Sequence, residues 1–259
     1  RTNVRGPGFW REFCREGDRY FTGWYIVRIF DMYRAQIITL LSTLILSCTI
    51  IYGQQIVLPN YGLKNPETLE VIRVRMKGSQ TMIDMSIENR VRDGYFCVDE
   101  NTYIECGDGE KFKMLEVNGL PTCPELYKFN SLGEKAYFTL VFDGLPGDAE
   151  WFDIVEYCGD NCFSVLGINI NEDINGKVNL AFNALDRLDP EGAIGIFKEL
   201  LPSLKAKNHA LTGSVYLNLF ELLAANKRHD ELRQLVSDFR ATPMPHKQSY
   251  LEILHKLGY

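Results

Sequence analysis

Two cysteines with three residues between them are the most reactive side chains that the sequence places close together. Cys158 and Cys162 flank Gly-Asp-Asn, between two predicted strands. A turn there would allow a local disulfide in an oxidising compartment. A catalytic dithiol normally has the spacing Cys-x-x-Cys at the start of a helix, whose dipole lowers a thiol pKa. Because the spacing differs and no helix is predicted to follow, the pattern favours a structural bond or two inert thiols.

Three further cysteines lie upstream of this pair: Cys97, Cys106 and Cys123. A structural zinc site uses closely spaced pairs of ligands, commonly with histidine. Residues 54–170 contain no histidine, and their cysteines do not form two such pairs. The sequence therefore predicts no metal ligand and no cofactor-binding residue.

All four histidines lie in the last part of the chain: His209, His229, His246 and His255. None stands beside a serine or cysteine nucleophile motif, and neither Gly-x-Ser-x-Gly nor His-Glu-x-x-His occurs. We expect these histidines at the surface or at helix ends. No catalytic residue is predicted.

Five acidic residues surround Trp151 and Phe152: Asp148, Glu150, Asp153, Glu156 and Asp160. Two carboxylates could serve a glycosidase, and several could hold calcium. In a strand, however, Asp153 and Glu156 would face opposite sides, and the spacing matches no calcium loop. The interpretation favoured by the sequence is a solvated acidic edge, which also discourages pairing between sheets of different molecules.

The charge of the chain is unevenly divided. Residues 1–53 hold 7 of the 28 basic and 4 of the 34 acidic side chains, so residues 54–259 carry a net charge of −9. Nucleic-acid binding depends on lysine and arginine that neutralise phosphates. The acidic body therefore argues against a nucleic-acid partner.

An apolar run from Ile37 to Tyr52 lies in a charge-free stretch of the N-terminal part. Its length is close to that of a signal-peptide core and short for a membrane span. We expect a signal peptide over residues 32–53 that starts at Met32 and is cleaved near Gln54. Residues 1–31 would then lie outside the natural product.

Two alternatives to a cleaved signal peptide stay open. The run could be retained as a membrane anchor, with the basic residues before it on the cytoplasmic side. Alternatively, Cys48 could be lipidated at a lipoprotein cleavage site. Membrane contact arises only through this N-terminal segment, and each alternative places the rest of the chain outside the cytoplasm, in the periplasm, at the cell surface or secreted.

Short alternating patterns predict antiparallel strands over residues 54–170. Ile83, Met85 and Ile87 alternate with polar residues, and Ile72, Val74 and Met76 alternate with Arg73, Arg75 and Lys77. Further predicted strands are Gly94–Val98, Thr102–Cys106, Lys111–Val117, Ala136–Phe142, Phe152–Tyr157 and Phe163–Ile170. Turn residues separate them, including Gly107-Asp108-Gly109. This many short strands favours an immunoglobulin-like β-sandwich.

The hydrophobic period changes to that of helices near Asn171. Val178, Ala181, Leu185 and Leu188 recur at helical spacing, and a second apolar stripe follows Pro190. Further helices are predicted over Leu211–Ala225, Asp230–Phe239 and His246–Leu257. The predicted fold is thus an α+β multidomain protein, with an antiparallel β-sandwich followed by an α-helical hairpin-repeat domain over residues 171–259.

Two resemblances accompany these patterns. The runs from Gly94 to Ile104 and from Gly107 to Leu115 resemble a secreted β-sandwich module of Bacteroidetes, and Phe138–Phe142 and Phe152–Glu156 are similar to its closing strands. In that group such modules adjoin varied partners, including thioredoxin-like domains, so the resemblance implies location and fold rather than chemistry. Leu180-Ala181, Ala193 and Phe197 resemble a degenerate tetratricopeptide repeat.

Three functions are compatible with the sequence. The first is an exported, non-catalytic binding or scaffold protein of the cell envelope, whose helical repeats hold a protein or peptide. The second is an accessory of an envelope thiol-redox pathway, and the third is a hydrolase with dispersed catalytic residues. The absence of a nucleophile or metal motif favours the first.

Overall fold

The structure is a computed structural model that describes residues 53–158 and 162–259. Tyr52–Tyr259 forms one compact unit. Several expectations concern residues outside the described ranges. They are the extension over residues 1–31, the candidate lipidation site Cys48, Asp160, and, apart from Gly53, the signal peptide or anchor over residues 32–53.

The first part of this unit is built from strands. They are β1 (Gln54–Val57), β2 (Leu63–Asn65), β3 (Leu69–Lys77), β4 (Gln80–Glu88), β5 (Tyr95–Phe96), β6 (Tyr103–Cys106), β7 (Lys111–Asn118), β8 (Tyr127–Lys128), β9 (Lys135–Asp143), β10 (Trp151–Val155) and β11 (Ser164–Asn169). Nine of them form one antiparallel sheet in the order β1-β3-β4-β9-β7-β6-β10-β11-β2. The other two, β5 and β8, form a small separate pair.

The nine strands curl into a half-barrel because β7 pairs with a different neighbour along each half of its length. Its first residues pair with β6, and Met114 onwards pairs with β9. A register shift between Met114 and Glu116 marks the change of partner, and such bulges bend a strand and increase its twist. The expected immunoglobulin sandwich has two separate sheets, whereas this sheet is continuous.

The expected alternation is confirmed in β4 and altered in β3. Ile83, Met85 and Ile87 are buried. In β3, a register shift between Val71 and Arg73 puts both Val71 and Val74 into the core, while Ile72 is only half-buried. One extra residue in a strand moves the inward-facing set by one position, so strict alternation fails there.

Five helices follow among the described residues: α1 (Glu172–Asp186), α2 (Pro190–Ala206), α3 (Thr212–Ala225), α4 (His229–Ala241) and α5 (Lys247–Lys256). Side chains fix the first two starts, because Asn171 accepts a hydrogen bond from the N–H of Ile174 and Asp189 accepts one from Gly192. The expected α+β order, with a β-rich part and then a helical part, is confirmed.

Consecutive helices pack against each other, α1 on α2, α2 on α3 and α3 on α4. Their core includes Ala181, Phe197, Tyr216 and Phe239. The sequence predicts Leu188 in the apolar stripe of α1, but Leu188 lies outside this core. It is 89% exposed and has a φ of 60° in the turn after α1, so its side chain points away from the helical stripe.

The helices lie directly against the half-barrel, with glycines at the closest approach. Gly213 in α3 leaves room for the ring of Tyr250, since a Cβ at residue 213 would overlap that ring. A Cβ on Gly62 would lie 2.5 Å from the Tyr250 hydroxyl, and one on Gly167 would lie 2.8 Å from Cβ of Ala210. Small residues at these positions let β2, β11 and the helices meet.

Candidate functional site

The acidic residues around Trp151 do not all form a solvated edge. Asp153 is 6% and Glu156 is 8% exposed, so the expectation is wrong for these two carboxylates. Each is buried beside hydrogen-bond donors that come from distant parts of the chain, which the local pattern could not show. The two define separate candidate sites.

Asp153 binds a histidine from the helical part. It lies at the middle of β10, and its Oδ1 accepts a hydrogen bond from the N–H of Gly167 in β11 at 2.6 Å. Nε2 of His246 lies 3.1 Å from Oδ1 and 3.0 Å from Oδ2. His246 precedes α5 with a left-handed φ of 54°, a conformation uncommon for residues other than glycine.

Trp151 lies between two histidines. Its ring centroid is 6.2 Å from that of His246 and 6.4 Å from that of His209, with an edge-to-face arrangement in both pairs. His209 is fully buried, and its Nδ1 accepts a hydrogen bond from the N–H of Leu211 at 3.1 Å. Burial lowers the pKa of His209 to about 4, so its imidazole is neutral near neutral pH.

The expectation of surface or helix-end positions is therefore correct for His229 and His255, which are exposed, and for His246 at the start of α5, and it is wrong for the buried His209. His246 is intermediate, with 20% of its side chain exposed. A carboxylate–histidine pair could act as a general base if a nucleophile stood beside it. No serine, threonine or cysteine among the described residues forms a hydrogen bond with His246.

Cys106 is the free thiol among the described residues, and it is poorly suited to that role. It is 4% exposed, in β6 opposite Phe152. Burial, followed by the nearby carboxylates Asp108 and Glu110, raises its pKa to about 12. The thiol is protonated at neutral pH and is a weak nucleophile. The Asp153–His246 pair thus joins the two parts of the fold without an activated partner.

Glu156 defines the second site, at the end of β10. Its Oε1 accepts a hydrogen bond from the N–H of Asp99 at 2.8 Å, and its Oε2 accepts one from Phe163 at 3.0 Å. These donors belong to two loops that each carry cysteines, because Asp99 is close to Cys97 and Phe163 follows Cys162. Burial of the carboxyl group is the main reason that the pKa of Glu156 lies above its ordinary value.

Two disulfides lie in these loops. Cys158 is bonded to Cys162, and Cys97 is bonded to Cys123. Local spacing does not reveal the second pair, since 26 positions separate its members. A carboxylate oxygen of Glu156 and the sulfurs of Cys158 and Cys162 lie within 4.8 Å of one another. In the disulfide form the two sulfurs are bonded to each other, so they are not thiolate ligands for a metal.

Both disulfides line one surface pocket of about 430 Å³, hereafter the disulfide pocket. Its lining comprises Val91, Arg92, Asp93, Gly94, Tyr95, Phe96, Cys97, Cys123, Glu156 and Cys158. Val91 and Tyr95 in this lining are more than half exposed, as is Tyr157 beside Cys158. A buried carboxyl group, a disulfide and exposed apolar side chains thus meet in one concave surface.

A third feature is a groove of about 510 Å³ along α4, hereafter the α4 groove. It is lined by His229, Leu232, Arg233, Val236, Ser237, Arg240 and Tyr259. The six helical members recur at spacings of three and four and share one face of α4. Arg233 pairs with Asp230, whereas Arg240 forms no ion pair with any described residue.

Comparisons with known proteins give no family for this chain. No protein-family model matches it, and neither a curated protein nor a solved structure does. Among the described residues, no helix combines the length and the apolar character that crossing a membrane requires. The two disulfides are consistent with an oxidising compartment.

Proposed function

We propose that this chain is an extracytoplasmic binding protein of the cell envelope whose helical part holds an acidic segment of a partner protein. The observation that carries the proposal is the α4 groove, in which basic side chains border an apolar floor. Binding rather than catalysis is the role proposed for this surface, and no cofactor is included.

The chemistry of the groove supports an acidic and partly apolar occupant. Val236 and Tyr259 supply partly exposed apolar surface, and Arg240, together with Arg233 in its pair with Asp230, supplies positive charge beside it. The rest of the molecule is acidic, with a net charge of −9 over residues 54–259. A positively charged groove attracts acidic segments. The acidic body also disfavours nucleic acid.

The resemblances belong to this proposal. Antiparallel strands followed by consecutively packed helices support the likeness to a secreted β-sandwich module with tetratricopeptide-like repeats, although the continuous sheet departs from the immunoglobulin pattern. Helical-repeat folds commonly bind peptides along exposed helix faces. The disulfides support a location outside the cytoplasm, in the periplasm, at the cell surface or secreted.

The test compares two pairs of charge reversals. Arg233→Glu with Arg240→Glu alters the α4 groove, and Lys177→Glu with Arg187→Glu alters exposed positions elsewhere in the helical part. The probes are a synthetic peptide library that combines acidic and apolar residues and a matched library in which lysine replaces the acidic residues.

We expect the wild type and the control pair to bind acidic peptides, and the groove pair to bind them at least about tenfold more weakly. Thermal unfolding of each variant checks that the fold is intact. Equal binding by all three proteins would reject the groove, and preference for the lysine library would reject the proposed charge.

The hydrolase hypothesis has a single feature in its favour, the Asp153–His246 pair. That pair has no activated nucleophile beside it among the described residues, so hydrolysis is not proposed. The thiol-redox hypothesis concerns the disulfide pocket rather than the α4 groove.

A further inference from the structure

We propose that the Cys158–Cys162 disulfide is a thiol–disulfide exchange site that accepts electrons from a dithiol of a partner protein, with Glu156 as the group that protonates the departing sulfur. This goes beyond the binding role of the α4 groove and does not depend on it. The proposal rests on three observations about the disulfide pocket.

The first observation is the position of the carboxyl group. An oxygen of Glu156 and both sulfurs of the Cys158–Cys162 bond lie within 4.8 Å of one another. Backbone N–H groups of Asp99 and Phe163 hold the carboxyl group in place. A buried acid beside a disulfide can deliver a proton to a sulfur as the bond breaks, and a positioned acid of this kind accelerates proton transfer.

The second observation is the length of the loop that the bond closes. Cys158 and Cys162 are four positions apart, against 26 for Cys97 and Cys123. In the chain-entropy model, stabilisation increases with the length of the closed loop. The short loop therefore contributes less stability than the long one, and stabilisation alone accounts poorly for a bond placed beside a buried acid.

The third observation is access from a surface suited to polypeptides. Cys158 lines the disulfide pocket, and both cysteines are half-buried rather than enclosed. Val91, Tyr95 and Tyr157 around it are 62%, 61% and 74% exposed. Exposed apolar groups of this kind mark surfaces that contact other chains. A partner segment seated on them would bring its own thiol to Cys158.

The exchange balances in two steps. A thiolate of the partner attacks Sγ of Cys158, which forms a mixed disulfide and breaks the Cys158–Cys162 bond, and the departing Cys162 sulfur takes the proton of Glu156. The second partner thiol then gives its proton to Glu156 and attacks the partner's own sulfur in the mixed disulfide, and Cys158 leaves as a thiolate. The partner dithiol is oxidised to a disulfide, and this chain's disulfide is reduced by two electrons.

The first step needs the carboxyl group in its protonated form. Burial is the largest influence on Glu156, and its net effect is a pKa above the ordinary 4.5, which increases the protonated fraction at mildly acidic pH. The same carboxylate, once ionised, is placed to accept the proton of the second partner thiol.

The experiment measures reduction of the full-length oxidised protein by dithiothreitol, followed by alkylation and mass spectrometry of each cysteine. We expect Cys158–Cys162 to be reduced before Cys97–Cys123, with one oxidised dithiothreitol formed per bond. Glu156→Gln should slow the first reduction about 100-fold, the lower end of what a positioned acid contributes. Glu125→Gln, an exposed acid near Cys123, is the matched control and should leave the rate unchanged.

A purely structural Glu156 predicts a different result, since Glu156→Gln would then lower thermal stability without slowing the reduction, and this would overturn the proposal. If that variant does not fold, the wild-type pH profile decides. Corrected for the thiolate fraction of dithiothreitol, the rate constant should decrease as pH rises through the pKa of Glu156. A flat corrected profile, or reduction of Cys97–Cys123 first, would also overturn it.

Discussion

Nε2 of His246 lies 3.0 Å from Oδ2 of Asp153, so a residue that starts the last helix is bound to the middle of a strand 93 positions earlier. The carboxylate is buried and also accepts the N–H of Gly167. Such a contact ties the half-barrel to the helices through one pair of side chains, and its energy can be measured.

We expect His246→Ala to lower the free energy of unfolding by about 1–3 kcal/mol, because Asp153 stays buried and loses one of its donors. Alanine keeps Cβ, so the left-handed backbone at residue 246 contributes equally in both proteins. Denaturant unfolding of His246→Ala, Asp153→Asn and the double variant gives the coupling energy. If the effects of the two single substitutions simply add, the pair contributes no coupling energy. His255→Ala, at an exposed position, is the control and should change the free energy of unfolding by less than about 0.5 kcal/mol.

Gly213→Ala should destabilise the protein, although alanine normally favours a helix over glycine. The added Cβ would overlap the ring of Tyr250, and overpacking of this kind costs about 1–3 kcal/mol. Gly195→Ala in α2 is the matched control, since no atom beyond its chain neighbours and the backbone of its own helix lies within 4 Å of its added Cβ. That variant should gain up to about 1 kcal/mol. If both substitutions changed the melting temperature in the same direction, the close approach of α3 and Tyr250 would be contradicted.

Stability should depend on pH through His209. Its pKa is about 4 when folded and 6.5 as an ordinary histidine, so between these values the unfolded chain binds the proton and the folded one does not. Its contribution is therefore complete above about pH 6.5 and decreases as pH falls towards 4, by at most about 1.4 kcal/mol per pH unit. His209→Asn retains an acceptor for the N–H of Leu211 and should flatten this slope.

The matched control for that measurement is His255→Asn, which removes an exposed histidine. Its free energy of unfolding should follow the wild-type pH dependence between pH 4 and 6.5. A slope in His209→Asn equal to that of the wild type would mean that His209 titrates normally and is not enclosed as described.

The half-barrel and the helices should unfold together. Asn60 donates its backbone N–H to Oδ1 of Asn175 at 2.9 Å, and Nδ2 of Asn175 donates to the carbonyl of Asn169 at 3.0 Å, so the junction between the two parts is held on both sides. With Trp10→Phe and Trp24→Phe, Trp151 is the only tryptophan left to report on the sheet. Its fluorescence and the helical circular dichroism should show one transition. Loss of helical signal first would indicate two independent domains.

The sequence predicted the elements better than the sites because the two depend on different information. Ile83, Met85 and Ile87 reveal their strand by spacing alone, and Pro190 marks the start of α2 locally. The burial of Glu156, by contrast, depends on Asp99, 57 positions earlier. An acidic residue whose donors come from another loop has the same local pattern as one in solvent.

Bulges account for the remaining differences in the sheet. The register shifts in β3 and in β7 depend on how neighbouring strands pair. The shift in β7 lets this strand pair with both β6 and β9, and it so joins into one sheet what the sequence predicts as two. The short strands β1, β2 and β8 carry too few residues to show a period. Pairing partners, rather than propensity, decide these positions.

The strand order places β1 at one end of the nine-stranded sheet and β2 at the other, although only residues 58–62 separate them in the chain. One segment, Gln54–Asn65, therefore covers the unpaired backbone groups of both β3 and β11. Proteolysis or truncation of this single segment would uncover two longer strands at once, one at each edge of the sheet. Strands left bare in this way pair with other chains, so the shortened protein would present two longer edges to aggregation.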